Sequence, residues 1–280
     1  MILSRRSRVF RSLQTILLTL LAILFLSPIA IVLANSFKGQ FYISDSPFAL
    51  PNKDTFVGFS NYLNGIAKIN FFSAFGYSFF ITVASVLVIL LFTSMTAWFL
   101  VRIRTRWTRA IYFAFVFSMI VPFQMVMFTM SKVANVLRLE NPVGIVLIYL
   151  GFGAGLSVFL FAGFIRSIPL ALEEAAEIDG CNPIQRYFYV ILPILRPTAI
   201  TVAVLNAMWI WNDYLLPLLV IGSKYRTIPV AVQYLQGGYG SRDMGALMAM
   251  LVLAILPIIL FYALMQKYII RGVVAGAVKG

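Results

Sequence analysis

The stretch EEAAEIDGCNPIQRYFYVILPILRP, residues 173–197, interrupts an otherwise apolar sequence. The whole chain has only nine Asp and Glu residues, and Glu173, Glu174, Glu177 and Asp179 all fall at the start of this stretch. Long apolar runs lie on both sides of it. The stretch is therefore a polar insertion between hydrophobic segments, and this alternation of apolar and polar segments indicates the fold.

Two short helices are predicted in this insertion. LALEEAAEID has helical propensity, and Gly180 suits the left-handed position that follows the end of a helix. Asn182 is a good N-cap, and Pro183 suits the first position of the next helix. We expect the second helix to continue until Pro193 and Pro197 break it. The insertion is thus predicted to be a helix, a sharp turn and a second helix.

The first of these helices combines negative charge with very small side chains. Three- and four-residue spacings place Glu173, Glu174 and Glu177 on one arc, with Ala175 and Ala176 beside them. A partner surface can therefore approach this backbone closely. The alternative is an amphipathic helix resting on lipid headgroups, but an anionic leaflet repels carboxylates, and such helices normally carry Lys and Arg. The pattern favours docking of a protein partner.

The composition places the rest of the chain in a membrane. Of 280 residues, 61% are hydrophobic and 11% are charged, and the mean hydropathy is +0.95; in soluble proteins about a quarter of residues are charged. A helix needs about 20 apolar residues to cross ~30 Å of hydrocarbon. The alternating segments of a β-barrel are not sustained along the chain. We therefore predict an all-α, polytopic membrane protein with six transmembrane helices.

The predicted spans cover residues 13–34, 72–101, 110–130, 143–165, 198–221 and 245–265. An N-terminal segment, 1–12, precedes them, the polar loop 166–197 lies among them, and a tail, 266–280, follows them. The first run could instead be a cleaved signal peptide, but it is longer than the usual apolar region of about 7–15 residues. We favour a membrane span.

Basic residues orient the chain. Arg5, Arg6, Arg8 and Arg11 precede the first span, and RIRTRWTR, residues 102–109, follows the second. Because short loops rich in Lys and Arg stay in the cytoplasm, both termini and the loop 166–197 are predicted to be cytoplasmic. The net charge of +13 comes from residues that flank spans, so it does not indicate nucleic-acid binding.

Missing residue types exclude several kinds of chemistry. The sequence has no His and a single Cys, Cys181, so His-ligated metal sites and Ser-His-Asp or Cys-His nucleophiles cannot form. It also contains no GxxxxGK[ST] phosphate-binding loop. We expect a chain that is not an enzyme and binds no metal or cofactor of its own.

The insertion resembles the EAA loop of binding-protein-dependent ABC importer permeases. Gly180, Ile191, Leu192 and Pro193 match the glycine and the Ile-Leu-Pro ending of that loop, and Cys181 stands where family members commonly carry Ala. WIWNDYLLPLL, residues 209–219, and QKYIIRGVVAGAVKG, residues 266–280, look like the carbohydrate-uptake branch, in particular the shorter permease of maltose-type importers. The resemblance covers nearly the whole chain.

The resemblance implies the type I ABC importer permease fold and a permease subunit of an ATP-driven sugar importer, with oligosaccharides as the expected substrates. It implies a bacterial plasma (inner) membrane location and four kinds of protein or lipid partner: a second homologous permease, two ABC ATPase subunits, an extracytoplasmic solute-binding protein and membrane lipid. The loop 222–243 is expected to face the solute-binding protein. ATP and magnesium are expected in the ATPase subunits.

The resemblance also assigns roles to residues. In the cytoplasmic coupling helix and its continuation, the expected contacts with the ATPase are Glu174, Ala175, Ala176, Asp179, Gly180, Ile191 and Pro193. In the C-terminal tail, they are Gln266, Lys267, Gly276 and Lys279.

The fifth span carries side chains suited to sugar hydroxyls and to the apolar faces of sugars: Asn206, Trp209, Trp211, Asn212, Asp213 and Tyr214. Polar groups within a span usually face the bundle interior or a water-filled path. Equally, the aromatic residues could anchor the span at the outer interface, and Asn206 could bond a neighbouring helix. Asp213, the one acid within a predicted span, supports an alternative function as an ion-coupled secondary sugar transporter. Such transporters normally bury more ionisable groups near the midplane.

Overall fold

The structure, a computed structural model, describes residues 5–237 and 242–277, with side chains for 10–237 and 242–266. Within these residues the secondary structure is helical apart from one antiparallel bridge between Lys38 and Phe56. The helices are α1 (Arg5–Asn35), α2 (Gln40–Asp45), α3 (Ser60–Ile69), α4 (Phe71–Arg102), α5 (Arg106–Ser118), α6 (Phe123–Val136), α7 (Gly144–Ile165), α8 (Ala171–Ile178), α9 (Pro183–Arg186), α10 (Leu192–Ile194), α11 (Arg196–Asn212), α12 (Leu215–Val220), α13 (Ile228–Gln233) and α14 (Met244–Ala277). The predicted all-α fold class is confirmed.

Four described helical stretches are long and apolar enough to cross a membrane: Phe10–Asn35, Phe71–Arg102, Gly144–Ile165 and Met244–Gln266. Two bent helix pairs, 106–136 and 183–212, raise the number to six if each pair forms one span. The first, second, fourth and sixth predicted spans therefore coincide with long helices. The other two predicted spans are not single helices.

The predicted third span, 110–130, is broken. α5 and α6 meet at an angle of 107°, and Pro122, with φ −63° and ψ 137°, is the extended residue that precedes α6. Proline has no N–H to continue a helix, and its ring disfavours helical backbone in the residue before it. The run 110–130 is therefore not one continuous helix, and its crossing of the membrane as one span stays a prediction.

The predicted fifth span, 198–221, is also interrupted. α11 ends at Asn212, and Asp213 is extended, with φ −72° and ψ 123°, before α12 begins. Pro217 accounts for the interruption, because in a continuous helix its ring would clash with the carbonyl group of Asp213 and it has no N–H to donate to that group.

α14 is longer than the predicted sixth span. Its helical backbone continues from Met244 to Ala277 and so includes most of the predicted tail, 266–280. No proline follows Pro257 within the helix to end it. The predicted tail is therefore helical as far as Ala277, and its cytoplasmic location stays a prediction; residues 278–280 lie outside the described part of the chain.

The chain divides into two compact units. The first contains the described residues of Met1–Phe71 and Ala231–Pro257. In this unit Asn61 donates from Nδ2 to the carbonyl oxygens of Ser36 and Lys38, at 2.9 and 2.8 Å, and Lys68 forms an ion pair with Asp243. Burial raises the pKa of Asp243, but hydrogen bonds from Lys68 and from backbone N–H groups outweigh this effect, so the pKa lies below its ordinary value. The Asn61 hydrogen bonds tie α3 to the residues that follow α1, and the Lys68–Asp243 pair ties it to the start of α14.

The second unit contains the described residues of Phe72–Val230 and Ile258–Gly280. α7 lies at its centre, with Tyr149, Val158 and Phe161 fully buried. A Cβ atom added at Gly153 would lie 2.6 Å from Ile89 Cδ1, and one at Gly155 would lie 2.7 Å from the carbonyl oxygen of Phe115. Small residues on α7 therefore allow close packing of α4 and α5, as expected where lipid removes the hydrophobic driving force.

Candidate functional site

The turn between α8 and α9 is built by local backbone chemistry. Asp179 ends α8, and Gly180 adopts a φ of +85°, in the left-handed region that glycine favours. The N–H groups of Gly180 and Cys181 donate to the carbonyl oxygens of Glu177 and Ala176, at 3.0 and 2.9 Å. The helix stop predicted at Gly180 is confirmed.

The start of α9 is capped as predicted. The Asn182 side chain accepts a hydrogen bond from the Gln185 N–H, and the Gln185 side chain accepts one from the Asn182 N–H, both at 2.9 Å. Such reciprocal capping satisfies two N–H groups that have no helical partner. Across the turn, Arg186 donates to Glu177 at 2.5 Å, so the two short helices are also joined by a partly exposed ion pair.

A buried ion pair anchors α8 to the end of α4. Glu173 is 4% exposed, and its carboxylate accepts hydrogen bonds from Arg102 Nε at 2.6 Å and from Trp98 Nε1 at 2.9 Å. Arg102 also donates to the carbonyl oxygen of Ile168 at 3.1 Å. Sequence reasoning treated Glu173 as part of an exposed acidic arc. The structure shows instead that Glu173 is used inside the subunit.

A second anchor lies on the same stripe of α4. The hydroxyl groups of Tyr187 and Ser94 are hydrogen-bonded at 2.6 Å, and the Tyr187 ring lies 5.7 Å from the Trp98 ring. Ser94, Trp98 and Arg102 are spaced four residues apart, so they share one face of α4. The polar loop is thus attached to that face through both Glu173 and Tyr187.

After α9 the helix does not break but continues with a wider, π-helical turn. Residues 187–191 form a π-helical turn in which the Leu192 N–H donates to the carbonyl group of Tyr187. Pro193 follows within α10, and it cannot donate to the carbonyl of Tyr189 as a regular helix requires. The π-turn accommodates this lost bond. The prediction that Pro193 breaks the helix was wrong, whereas a bend of 76° does occur next to Pro197.

The predicted coupling residues divide into an exposed set and a buried set. The exposed set consists of Glu174, Ala175, Asp179, Gly180 and Pro193. Ala176 and Ile191 are buried against the subunit itself. Ala176 lies on the buried face of α8 and Ile191 in the turn that follows α9, so both pack within the subunit, and their contact with an ATPase stays a prediction.

The loop also exposes large apolar side chains that sequence reasoning did not select. Ile178, Ile184 and Tyr189 are 85%, 66% and 73% exposed, and Leu170 is half-exposed. Leu170 also lines a cavity of about 440 Å³ between α8, α9 and the end of α4. The available sequence signal was the presence of large apolar residues in a polar loop that lies outside the predicted spans. Exposed apolar groups outside a predicted span indicate a protein interface.

Asp213 lies at the break between α11 and α12. Its Oδ2 accepts a hydrogen bond from the Tyr149 hydroxyl at 3.1 Å, and its Oδ1 accepts bonds from the N–H groups of Leu215 and Leu216, at 3.0 and 3.3 Å. The carboxylate therefore caps α12 and ties it to α7. These contacts give Asp213 a structural role that the sequence did not reveal.

The other polar residue deep in this region is also bonded within the subunit. Asn206 is buried and donates to Ser157 Oγ at 3.1 Å and to the carbonyl oxygen of Val202 at 2.9 Å. This agrees with the alternative in which Asn206 bonds a neighbouring helix. Trp209 is partly exposed, and its ring packs edge-on against Tyr149, 5.4 Å between centroids.

The three remaining residues of the predicted path differ in exposure. Trp211 is buried, with its ring edge-on to Phe75 at 5.8 Å. Asn212 is exposed and donates to the carbonyl oxygen of Met208 at 2.7 Å, and Tyr214 is half-buried. The structure therefore leaves Trp209, Asn212 and Tyr214 accessible near the helix break, while Asn206 and Trp211 pack inside.

Replacing Asp213 by Asn is expected to slow transport by about fivefold at most, because Asn caps a helix as well as Asp does and keeps a partner for Tyr149. Asp213→Ala removes the cap and leaves the buried Tyr149 hydroxyl without its acceptor, so it should be more harmful. Uptake by the two variants, at equal amounts of assembled complex, makes the comparison. Complete loss of uptake in Asp213→Asn would contradict a capping role and favour ion coupling.

The predicted tail contacts are only partly described. Gln266 is exposed on α14. Lys267 and Gly276 lie on the helical backbone of α14, beyond the described side chains, and Lys279 lies outside the described residues. Contact of this segment with an ATPase stays a prediction.

The described residues contain no group of three or more His, Cys, Asp or Glu side chains that could hold a metal ion. The loop 166–197 instead exposes small and apolar side chains and is attached to α4 through Glu173 and Tyr187. Such an arrangement can bind a partner and transmit its movement.

Comparison with known proteins identifies the class. Residues 90–275 match the family described as binding-protein-dependent transport system inner membrane component, and the chain belongs to this family. It is a multi-pass permease subunit of an ABC importer, as the resemblance of residues 173–197 implied.

Particular relatives match along nearly their full length. The chain is 41% identical over 276 residues to the probable starch degradation products transport system permease protein AmyC of Thermoanaerobacterium thermosulfurigenes, covering 98% of this chain and 99% of that protein. It is 35% identical over 270 residues to the multiple sugar-binding transport system permease protein MsmG of Streptococcus mutans, covering 94% and 95%.

A solved structure of a bacterial ABC transporter involved in the import of the acidic polysaccharide alginate contains a chain of the same fold. Its TM-score is 0.73 at 27% identity, with 96% of this chain and 99% of that chain covered.

Proposed function

We propose that this chain forms half of the translocation path of an ATP-driven, binding-protein-dependent oligosaccharide importer in a bacterial plasma membrane. A second homologous permease would supply the other half, and an extracytoplasmic solute-binding protein would deliver the sugar. Both chain termini would lie in the cytoplasm, in agreement with the arginines in the first part of α1 and those at the junction of α4 and α5. Two ABC ATPase subunits would hold ATP and magnesium and perform the hydrolysis.

The observation that carries the proposal is the loop 166–197, which is exposed on one face and fixed on the other. Glu174, Ala175 and Gly180 lie on the open side, and a Cβ atom added at Gly180 would meet no atom within 4 Å. A partner can therefore come close to the backbone there. Ile178 and Ile184 add apolar area beside this point, which favours binding of a protein surface rather than solvation.

The attachment to α4 explains how docking would affect the path. Glu173 and Tyr187 bond to a single stripe of α4, and the loop is continuous with α7 before it and α11 after it. A movement of the docked loop would therefore reach all three helices. A ligand-driven change of this kind requires different contacts in two states, which ATP on one side and the loaded binding protein on the other would supply.

The relatives support the choice of substrate class, because the two permeases compared above are named for starch degradation products and for multiple sugars. The accessible residues at the break after α11 have suitable chemistry. The Trp209 ring can stack on the apolar face of a sugar, and the Asn212 amide and the Tyr214 hydroxyl can bond sugar hydroxyls.

Uptake by reconstituted vesicles tests the proposal. The chain, its companion permease and the ATPase pair are placed in one membrane with the solute-binding protein outside, and labelled maltooligosaccharides are offered. Uptake is expected with enclosed ATP and not with a non-hydrolysable analogue of ATP. Uptake by the permeases alone, driven by a proton or sodium gradient, would instead establish the secondary transporter in which Asp213 is the coupling group.

A further inference from the structure

A second polar cavity lies where the end of α4, the start of α5 and the end of α7 meet. Its volume is about 220 Å³, and its lining side chains are Leu100, Val101, Arg104, Thr105, Thr108, Arg109, Tyr112 and Arg166. Three of these residues are arginines, three carry hydroxyl groups, and none is acidic. The loop 166–197 lies outside this cavity apart from its first residue, so the cavity is separate from the proposed docking face.

The positive charge of this cavity is not neutralised within the part of the subunit that the structure describes. The ion pairs found there join Lys68 to Asp243, Arg102 to Glu173 and Arg186 to Glu177, and none involves the cavity arginines. Arg166 is held with its guanidinium carbon 5.0 Å from the centre of the Tyr112 ring. Stacking of this kind leaves the edges of a guanidinium group able to bond an anion.

The surface that leads away from the cavity is apolar. Arg109, Phe113 and Phe117 lie four residues apart on α5 and therefore form one stripe. Phe113 and Phe117 are 60% and 65% exposed, and Trp107, near the start of the helix, is 80% exposed. An exposed Trp next to basic residues is typical of the level of lipid headgroups. A ligand that fits both parts has an anionic head and a hydrocarbon tail.

We infer that this cavity binds the phosphate-containing headgroup of an anionic phospholipid, with an acyl chain lying along Phe113 and Phe117. Arg104, Arg109 and Arg166 bond the phosphate oxygens, because a guanidinium group presents paired donors that match them. The hydroxyl groups of Thr105 and Thr108 and the ring of Tyr112 complete the wall. Placement in the cytoplasmic leaflet follows from the proposed orientation, but binding itself does not depend on transport.

Native mass spectrometry of the full chain, purified from discs made of equal parts of phosphatidylglycerol and phosphatidylcholine, tests the inference. The wild type is expected to retain phosphatidylglycerol preferentially. Arg109→Gln with Arg166→Gln should reduce its affinity roughly tenfold or more, since two charges near the headgroup are lost. The matched control is Arg106→Gln with Arg196→Gln, which removes two exposed arginines that do not line the cavity and should retain the lipid.

Two further measurements separate a lipid from a free anion. Phe113→Ala with Phe117→Ala should weaken retention of phosphatidylglycerol, and inorganic phosphate should not displace it. Equal retention in the Arg109/Arg166 variant and the wild type would overturn the inference, as would equal loss in the control. Displacement by inorganic phosphate alone, or equal retention of phosphatidylcholine, would also overturn it.

Discussion

Glu173→Gln is expected to destabilise the subunit by about 3 kcal/mol and to abolish most ATP-dependent uptake. The substitution leaves the guanidinium group of Arg102 without its counter-charge in a site where both side chains are largely buried. Removing one member of a buried ion pair lowers the stability by much more than the pair itself contributes to it, because the other charge remains buried without a partner. Denaturant titration of the purified chain measures the stability, and vesicle uptake measures the function.

The control for this prediction is Glu174→Gln, which removes the same charge from the adjacent, exposed position. Its stability should change by about 0.5 kcal/mol or less. Combining Glu173→Gln with Arg102→Met should recover part of the lost stability, because no unpaired charge then remains. If Glu173→Gln alone is as stable as Glu174→Gln, the ion pair does not anchor the loop.

Gly180→Asp should leave the chain folded and inserted but eliminate co-purification of the ATPase and with it uptake. Asp is among the residues that tolerate the left-handed conformation, and the added side chain meets no atom of the subunit within 4 Å of its Cβ. The turn should therefore survive. The new carboxylate would occupy the space through which the proposed partner approaches and add charge to an acidic segment.

Gly58→Asp is the matched control. Gly58 also has a positive φ, +58°, and open space around an added Cβ, but it lies in the segment 35–71, which is predicted on the other side of the membrane. ATPase should co-purify with this variant in normal amounts. A Gly180→Asp subunit that retains its full complement of ATPase would show that Gly180 does not lie against the partner.

Local chemistry explains which parts of the loop were predictable. Gly180, Asn182 and Pro183 act on backbone groups within a few residues, so their effect is visible in the sequence and the structure agrees with it. Glu173 and Arg102 lie 71 positions apart. No local pattern distinguishes a glutamate that pairs with a distant arginine from one that faces solvent, so the acidic arc was only partly interpreted correctly.

The breaks in the third and fifth predicted spans had a signal in the sequence, namely their prolines, but the high hydrophobicity of both runs outweighed it in the prediction. Hydrophobicity over about 20 residues predicts a span, but it does not register that Pro122 and Pro217 remove backbone donors. The same two prolines explain the bent α5–α6 pair and the break between α11 and α12 at Asp213. The substrate-path prediction failed to separate the faces of α11, because the sequence does not show that Asn206 and Trp211 lie on its packed face and Trp209 and Asn212 on its accessible face.

The two attachments between the polar loop and α4 have a mechanical consequence. Ser94, Trp98 and Arg102 span two turns, or about 12 Å of the helix axis. A loop attached to α4 at one point could pivot freely about that point, but a loop attached along this length cannot. A force applied to the loop by a partner would therefore tend to rotate α4 about its long axis.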